Sequence, residues 1–303
     1  MIDPKEIISA SQRLAPYLNQ TPIYTSETLN EESGFSLFFK MENLQKINAF
    51  KARGALNTLL KLKEKNELPK KVSAYSSGNH AQAVSWACKI LGLKAKIFMP
   101  KQTSEYKIEK TKIHGAEVIL TETREEAEKK AHSEKAFLLP PFDHPDVIAG
   151  QGTAVYEALQ EGHYDALITP VGGGGLLSGS FLATQLFPEK KISVFGVEPE
   201  NANDAYQSYS SGKIVRLPTR PVTQADGVIT QSVSPLTFYF LKQTQGILTV
   251  SEKEITKAHQ KLSRQWKDPI EPTSALPYAA VSQLSLPKRS KILLLVSGGN
   301  IKI

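Results

Sequence analysis

The chain has 303 residues, of which 40% are hydrophobic and 22% charged, and its formal net charge is +7. This composition excludes a disordered chain and is typical of a soluble globular protein that is long enough for two lobes. The surplus lysines are interspersed with glutamates in segments such as 61–71 and 125–135 rather than forming a stripe with aromatic residues, so we expect no nucleic-acid partner.

The apolar runs are far too short to span a bilayer, and the N-terminus lacks the apolar core of a signal peptide, so we expect no membrane association. The one cysteine, Cys88, excludes an internal disulfide framework, and its apolar neighbours indicate a buried helical thiol. A reducing compartment fits this pattern best. We therefore expect a cytoplasmic protein.

From residue 72 onward, strand-like and helix-like segments alternate along the chain. The predicted strands are 72–75, 95–99, 118–121, 166–171, 192–197 and 292–296, and the predicted helices are 80–91, 104–114, 124–134, 152–160 and 176–186. Gly92 and Gly115 fall where helix C-caps belong. Alternation at this spacing predicts right-handed βαβ units, a parallel sheet and an α/β fold class.

A proline-stiffened segment, 140–145, interrupts this alternation, because it can continue neither a helix nor a central strand. A second crossing lies near residues 69–71. We therefore predict a small inserted α/β domain, 71–143, within a larger domain built from residues 1–70 and 144–303.

Four consecutive glycines form the most informative motif, between a predicted strand and a predicted helix: Gly172, Gly173, Gly174 and Gly175. Without Cβ atoms, the backbone N–H groups of such a turn can converge on one small anion at the helix N-terminus. A flexible turn is the ordinary interpretation, but ligands of open α/β sheets lie at the carboxyl ends of strands. The P-loop and dinucleotide-binding patterns are both missing. We therefore predict a site for a phosphate carried by another kind of cofactor.

Lys51 lies between apolar residues at the start of a predicted helix. On this segment alone, a solvated lysine on a helix surface is the more common situation. The alternative is a desolvated amine with a lowered pKa, which can form a Schiff base with an aldehyde cofactor. Pyridoxal phosphate carries both an aldehyde and a phosphate, so this lysine and the four glycines favour the same cofactor.

Two further polar loops follow predicted strands. The first contains Ser76, Ser77, Gly78, Asn79 and His80. One helix N-cap needs only one such residue, whereas this loop offers two hydroxyls, an amide and free backbone donors. A substrate carboxylate could bind to these N–H groups while Asn79 reaches a cofactor ring oxygen. In the second loop, Ser297 follows the last predicted strand and could face a pyridine nitrogen.

Seven blocks of the sequence resemble the fold type II family of pyridoxal-phosphate enzymes, specifically its serine/threonine dehydratase and serine racemase branch, over nearly the whole chain. The blocks are 42–45 with 50–55, 76–82, 145–153, 170–175, 225–227, 271–273 and 297–300. The resemblance implies a fold similar to the tryptophan synthase β subunit, with two lobes that each contain a mainly parallel twisted sheet flanked by helices. The larger lobe would bind the cofactor, and the protein would form a homodimer.

The same resemblance implies roles for individual residues. Lys51 would be the Schiff-base residue and the general base, with Phe50 beside the cofactor. Asn79 would contact the ring hydroxyl, the four glycines the phosphate, and Ser297 the ring nitrogen. The loop 76–80 and Arg124 would bind the substrate, although Arg124 is as readily explained as a solvated residue of a charged helix.

The implied activity is an ammonia-lyase that converts L-threonine, L-serine or both to a 2-oxo acid and ammonia by α-proton abstraction and β-elimination. A serine racemase with a side dehydratase activity is the alternative, because Ser77 stands where that branch carries its second acid/base. The segment 140–143 resembles the dehydratases instead. A binding or regulatory protein that retains the fold without turnover is a third possibility.

Glu198, Asp204 and the backbone carbonyl of Ala202 supply hard oxygen ligands of the kind that Mg²⁺ or Ca²⁺ prefers. An acidic helix start that satisfies the helix dipole explains the same residues. Because the segment resembles the metal-binding turn of serine racemases, we expect a structural divalent cation. Ala49 departs from the serine usual in the family, which affects substrate placement. Six residues follow Ser297, so we expect no C-terminal regulatory domain.

Overall fold

A computed structural model describes residues 2–302 of the chain. In this range the helices are α1 (Lys5–Leu14), α2 (Glu27–Ser33), α3 (Lys51–Glu64), α4 (Asn79–Leu91), α5 (Glu105–Lys112), α6 (Arg124–Ser133), α7 (Pro145–Glu161), α8 (Gly175–Thr184), α9 (Asp204–Ser211), α10 (Pro235–Leu241), α11 (Glu252–Gln265) and α12 (Pro272–Ala279). The strands are β1 (Ile23–Tyr24), β2 (Ser36–Met41), β3 (Lys71–Tyr75), β4 (Lys94–Pro100), β5 (Glu117–Thr121), β6 (Phe137–Leu138), β7 (Ala166–Pro170), β8 (Ser193–Pro199), β9 (Gly246–Val250) and β10 (Lys291–Val296).

The larger sheet has six strands in the order β1-β2-β10-β7-β8-β9. Every neighbouring pair is parallel except β1 with β2. Its centre is β10, in which Leu294 is aligned with Phe39 on one side and Ile168 on the other. The continuous apolar run of β10 is buried on both faces, as expected for a central strand of a parallel sheet.

The smaller sheet has four parallel strands in the order β5-β4-β3-β6, all between residues 71 and 138. The expected α/β class, with two mainly parallel sheets flanked by helices, is confirmed. The domain boundaries 1–70, 71–143 and 144–303 stay a prediction. Cys88 is buried and unpaired, as its apolar neighbours indicate. Across residues 2–302, the structure has no helix with the length and apolar character needed to cross a membrane.

Three helices approach one another closely enough for their backbones to touch, and this contact positions the cavity described below. A Cβ at Gly150 of α7 would lie 2.7 Å from the carbonyl oxygen of Arg53 in α3. On the opposite side of α7, a Cβ at Gly152 would lie 2.5 Å from the carbonyl oxygen of Gly179 in α8. Helix α7 therefore fixes the first turn of α3 relative to the N-terminal half of α8.

A buried charge cluster strengthens the contact between α3 and α7. The guanidinium of Arg53 donates to both carboxylate oxygens of Glu42 at 2.7 and 2.8 Å and to both of Glu157 at 2.6 and 2.8 Å. Its fifth hydrogen bond goes to the hydroxyl of Thr153 at 3.1 Å. Lys40 adds a second cation, 2.8 Å from Glu157. The two cations balance the two anions, and the five hydrogen bonds of Arg53 reduce the cost of burying these charges.

The helix predicted at 152–160 is longer than expected, because α7 already begins at Pro145. Proline is favoured at the first helical position, where no backbone donor is needed, and the ring of His144 accepts a hydrogen bond from the N–H of Asp146. Of the predicted break 140–145, residues 140–144 lie outside helices and strands, whereas Pro145 is already the first residue of α7.

Candidate active site

A cavity of about 440 Å³ opens at the carboxyl ends of strands from both sheets. The cavity collects every cofactor and substrate residue that the sequence predicts, namely Phe50, Lys51, Ser76, Ser77, Gly78, Asn79, His80, Arg124, Gly172, Gly173, Gly174, Gly175 and Ser297. The three predicted metal ligands are not part of this lining and lie elsewhere. Loops distant in sequence thus converge as expected for parallel α/β sheets.

The amine of Lys51 is held at the first residue of α3. Its Nζ donates a 2.7 Å hydrogen bond to the carbonyl oxygen of Pro141 and lies 4.9 Å from the ring centroid of Phe50. No carboxylate within residues 2–302 forms an ion pair with it. Burial lowers the pKa of Lys51 from 10.5 to about 7. A large fraction of the amine is therefore unprotonated and nucleophilic near neutral pH.

The glycine loop, residues 172–175, joins β7 to α8. Gly174 has φ +85°, a left-handed conformation that favours glycine. A Cβ at Gly173 would lie 2.2 Å from the ring of Phe142. Within the described range, none of the four backbone N–H groups donates a hydrogen bond to another group of the chain. A cradle of free donors at a helix N-terminus fits a phosphate.

The asparagine loop, residues 76–80, joins β3 to α4 and also leaves donors free. The N–H of Gly78 is satisfied by the hydroxyl of Ser76 at 3.2 Å. The N–H groups of Ser77, Asn79 and His80 have no acceptor among residues 2–302. These donors suit a carboxylate, because charge-assisted hydrogen bonds to backbone amides are short and strong.

The side-chain amide of Asn79 has a fixed orientation. Its Nδ2 lies 3.0 and 3.2 Å from the two carboxylate oxygens of Glu271, and its Oδ1 accepts a 2.8 Å hydrogen bond from Asn300. Glu271 is buried, and burial together with the charge of Asp226 raises its pKa to about 7. The sequence block 271–273 contains this residue, but the sequence does not predict its contact with Asn79. The sequence signal that could identify Glu271 is an acidic residue directly before a proline at the start of a buried helix.

Ser297 follows β10 and is buried. Its Oγ is 3.1 Å from the Oγ of Ser274, and Ser274 also bonds the main chain of Gly298 at 2.7 Å through both N–H and C=O. The carbonyl oxygen of Ser297 accepts the N–H of Phe50 at 3.1 Å. The C-terminal loop is thus tied to the start of α3. The sequence does not identify Ser274.

His80, Ser77 and Arg124 also line the cavity, and their side chains have different environments. The Nε2 of His80 is 2.9 Å from the carbonyl oxygen of Leu139, and burial and the nearby Lys51 lower its pKa to about 3, so the ring is neutral. The hydroxyl of Ser77 forms no hydrogen bond within residues 2–302. The guanidinium carbon of Arg124 lies 5.9 Å from the ring centroid of Tyr75.

The predicted metal ligands lie together at the end of β8 and the start of α9. The carboxylate of Glu198 accepts N–H groups from Ala205 and Tyr206 at 3.2 and 2.8 Å, so it caps this helix. The Oδ2 of Asp204 is buried without a partner among residues 2–302. Burial and the neighbouring Asp204 raise the pKa of Glu198, and burial raises the pKa of Asp204 to about 7. No cluster of three His, Cys, Asp or Glu ligands exists in the described range, so a cation here would need main-chain or water oxygens.

Comparison with known proteins gives consistent results. The family model described as pyridoxal-phosphate dependent enzyme matches residues 14–298. The chain is 44% identical over 305 residues to the L-threo-3-hydroxyaspartate ammonia-lyase of Saccharomyces cerevisiae, covering 98% of this chain and 92% of the relative. It is also 44% identical over 308 residues to the serine racemase of Schizosaccharomyces pombe, covering 98% and 94%. A solved structure of a threonine deaminase from T.th. matches with a TM-score of 0.91 and 43% identity, covering 99% and 98% of the two chains.

Proposed function

Because the chain belongs to the pyridoxal-phosphate dependent enzyme family, we propose that it is an ammonia-lyase of β-hydroxy-α-amino acids, with L-threonine and L-serine among its substrates. The family confirms the resemblance stated above and supports pyridoxal phosphate as the cofactor. The observation that carries the proposal is one cavity in which the Lys51 amine, with its pKa lowered to about 7, lies among two loops that present unpartnered backbone donors.

The residues of the cavity fit pyridoxal phosphate. The glycine loop would hold the phosphate, Asn79 the ring hydroxyl, and Ser297 the ring nitrogen, with Phe50 beside the ring and Lys51 at the aldehyde. When bound, the cofactor supplies an electron sink that acidifies the Cα–H bond of an attached amino acid. Ser297 offers a neutral hydroxyl rather than a carboxylate, so it does not hold a proton at the ring nitrogen.

Lys51 is the residue proposed to move the α-proton. The unprotonated amine accepts the proton from Cα. The resulting ammonium can then donate a hydrogen bond to the carbonyl oxygen of Pro141, which lies 2.7 Å away. The free N–H groups of the asparagine loop hold the substrate carboxylate and so orient Cα toward the amine. The Cβ–O bond then breaks, and the proton taken from Cα passes from the Lys51 ammonium to the departing hydroxyl, which leaves as water. A second water then releases ammonia, so the net products are a 2-oxo acid and ammonia.

A turnover assay tests this proposal. Purified holoenzyme incubated with L-threonine or L-serine should form the 2-oxo acid and ammonia in equal amounts. Lys51→Ala should abolish turnover and prevent covalent trapping of the cofactor by borohydride at residue 51. Unchanged turnover in Lys51→Ala would overturn the assignment. A wild-type protein that binds the cofactor but converts neither amino acid would instead be a binding protein.

Serine racemase activity is the second candidate, and the free hydroxyl of Ser77 in the cavity supports it. A racemase needs an acid/base on each face of Cα, and Ser77 is available in addition to Lys51. Chiral analysis of the L-serine reaction measures D-serine beside pyruvate. Loss of D-serine with retention of pyruvate in Ser77→Ala would support racemisation in this site. If the variant loses both products equally, Ser77 has no separate racemase role.

We also propose that Glu198, Asp204 and the carbonyl oxygen of Ala202 hold a structural Mg²⁺ or Ca²⁺. Two adjacent buried carboxylates and the unpartnered Oδ2 of Asp204 support a bound cation. Adding Mg²⁺ or Ca²⁺ to chelator-treated protein should raise its melting temperature, and Asp204→Asn should abolish that increase. Equal increases in the variant and the wild type would exclude this site.

A homodimer in the cytoplasm completes the proposal: the family resemblance supports the dimer, and the single buried cysteine fits a reducing compartment. Light scattering after size-exclusion chromatography should give a mass of about twice 33.4 kDa. A mass that stays at one chain across the accessible concentration range would contradict the dimer.

A further inference from the structure

A buried acceptor beside the glycine loop has no donor in the described part of the chain. Gln151 of α7 is completely buried, and its Oε1 forms no hydrogen bond within residues 2–302. A Cβ at Gly175, the first residue of α8, would lie 2.6 Å from this oxygen, so Oε1 lies directly against the glycine loop. Because a buried amide oxygen without a donor is costly, we expect a ligand to supply that donor.

The orientation of the Gln151 amide is fixed by its nitrogen. Nε2 donates to the carbonyl oxygen of Pro141 at 3.2 Å, the same oxygen that accepts the amine of Lys51 at 2.7 Å. A carbonyl oxygen can only accept, so turning the amide over would place Oε1 against it. Pro141 and Gly175 both line the cavity. The amide therefore lies at the cavity wall, with its nitrogen toward Pro141 and its oxygen toward the glycine loop.

The segments that pack against the glycine loop carry no cation. The atoms nearest to a Cβ at each of the four glycines belong to uncharged residues, among them Phe142, Val228 and Thr237. These neighbours come from α7, α10 and the segments 140–143 and 226–230, which contain no lysine or arginine. The acidic side chains of the same segments are exposed or paired with a cation, namely Asp143, Asp146, Glu157, Glu161 and Asp226. The Lys51 amine, held nearby through Pro141, is reserved for the cofactor aldehyde.

A doubly charged phosphate fits this loop poorly. The free N–H groups at the N-terminus of α8 are equivalent to roughly half a positive charge, which balances one negative charge better than two. An unprotonated phosphate oxygen beside Oε1 would bring two acceptors together. A protonated phosphate oxygen instead supplies the donor that Oε1 lacks.

We propose that Gln151 accepts a hydrogen bond from a protonated phosphate oxygen of the cofactor, so that the enzyme holds pyridoxal phosphate with a singly charged phosphate at neutral pH. This inference rests on the cofactor assigned above and goes beyond the proposed function, because it needs no substrate. A phosphate monoester in water loses its second proton at a pKa of about 6, so the phosphate of the free cofactor is mainly doubly charged at pH 7. The two forms are therefore distinguishable.

Phosphorus NMR of the holoenzyme tests the inference, since the chemical shift of a phosphate monoester differs between its singly and doubly charged forms. At pH 7 the wild type should show the singly charged form. Gln151→Met removes the acceptor, and a pH titration should show that the bound phosphate holds its proton at least about tenfold more weakly. Gln151→Glu keeps an acceptor and should retain the wild-type chemical shift. Gln160→Met is the matched control, because Gln160 is an exposed glutamine of the same helix, and it should change nothing.

Two results would overturn the inference. A doubly charged phosphate in the wild type at pH 7 does so without any variant. The same titration in Gln151→Met and the wild type also does so, because a buried water would then satisfy Oε1. The measurement does not involve turnover. A holoenzyme that shows the singly charged phosphate but converts no amino acid would refute the proposed function alone, whereas a protein that takes up no pyridoxal phosphate would refute both.

Discussion

Replacement of Lys51 by methionine should make the cofactor-free protein more stable at pH 7. In the fold, burial lowers the pKa of this lysine from 10.5 to about 7. At about 1.36 kcal/mol per pKa unit, this shift destabilises the folded state by about 5 kcal/mol when the amine is fully protonated. At pH 7 the native amine is half-protonated, so the destabilisation is about 4 kcal/mol. The lost hydrogen bond to Pro141 offsets about 1 kcal/mol. The Pro141 carbonyl stays satisfied by Gln151 at 3.2 Å, so the expected gain is about 3 kcal/mol.

The sign of the pH dependence follows from the direction of the shift. A lysine whose native pKa lies below its unfolded pKa destabilises the fold fully below about pH 7, progressively less up to about pH 10.5, and not at all above that. The advantage of Lys51→Met should therefore shrink to below about 1 kcal/mol at pH 10.

Urea unfolding of the two cofactor-free proteins at pH 7 and pH 10 measures this difference. Lys61→Met is the control on the same helix, since Lys61 is ion-paired with Glu6 and Asp146 and these contacts outweigh burial and raise its pKa. It should lower the free energy of unfolding at pH 7. The reasoning is wrong if Lys51→Met is no more stable than the wild type at pH 7, or if its advantage is the same at both pH values.

Three other predictions concern the site and the buried charge cluster that supports it. Gly173→Ala should weaken cofactor binding at least about tenfold in a fluorescence titration, because its Cβ would lie 2.2 Å from the Phe142 ring. Gly246→Ala, whose Cβ would have its nearest neighbour at 3.8 Å, should not. Activity should fall as the pH drops through about 7, where both the Lys51 base and the Glu271 acceptor for Asn79 become protonated, and in Glu271→Gln the fall should be shallower because only Lys51 then titrates. Arg53→Met should lower the free energy of unfolding by about 3 to 5 kcal/mol in urea titrations, because two buried carboxylates lose their partner; a loss below about 1 kcal/mol contradicts this.

The sequence predicts those parts of the site whose signals are local. Gly174 requires a left-handed conformation, and Asn79 and Ser297 each follow a strand whose apolar run is easily recognised. Because the carboxyl ends of parallel strands share one edge, three such loops can be assigned to one cavity before any contact is known. The α/β class follows from the same alternation of strands and helices.

The parts that the sequence does not predict depend on contacts between distant residues. Glu271 contacts Asn79 across 192 positions of sequence, and Arg53 contacts Glu157 across 104. In both pairs, the sequence around one residue contains no motif that identifies the other residue. The start of α7 at Pro145 escapes prediction for a different reason, since the prolines of segment 140–145 together indicate a break. Proline breaks the interior of a helix but is favoured at its first position, so a proline alone does not tell a break from a helix start.

The orientation of Asn79 connects the cofactor site to the relative position of the two sheets. Asn79 follows β3 of the smaller sheet, whereas its partners Glu271 and Asn300 lie beside α12 and β10 of the larger one. Any separation of the two parts would lengthen these hydrogen bonds before it changed either sheet. The ring contact proposed for Asn79 therefore depends on the position of the smaller sheet relative to the larger one. The ion pair between Lys107 and Asp226 also joins the part that contains the smaller sheet to the part that contains the larger one. It therefore favours the arrangement in which Asn79 contacts Glu271 and Asn300.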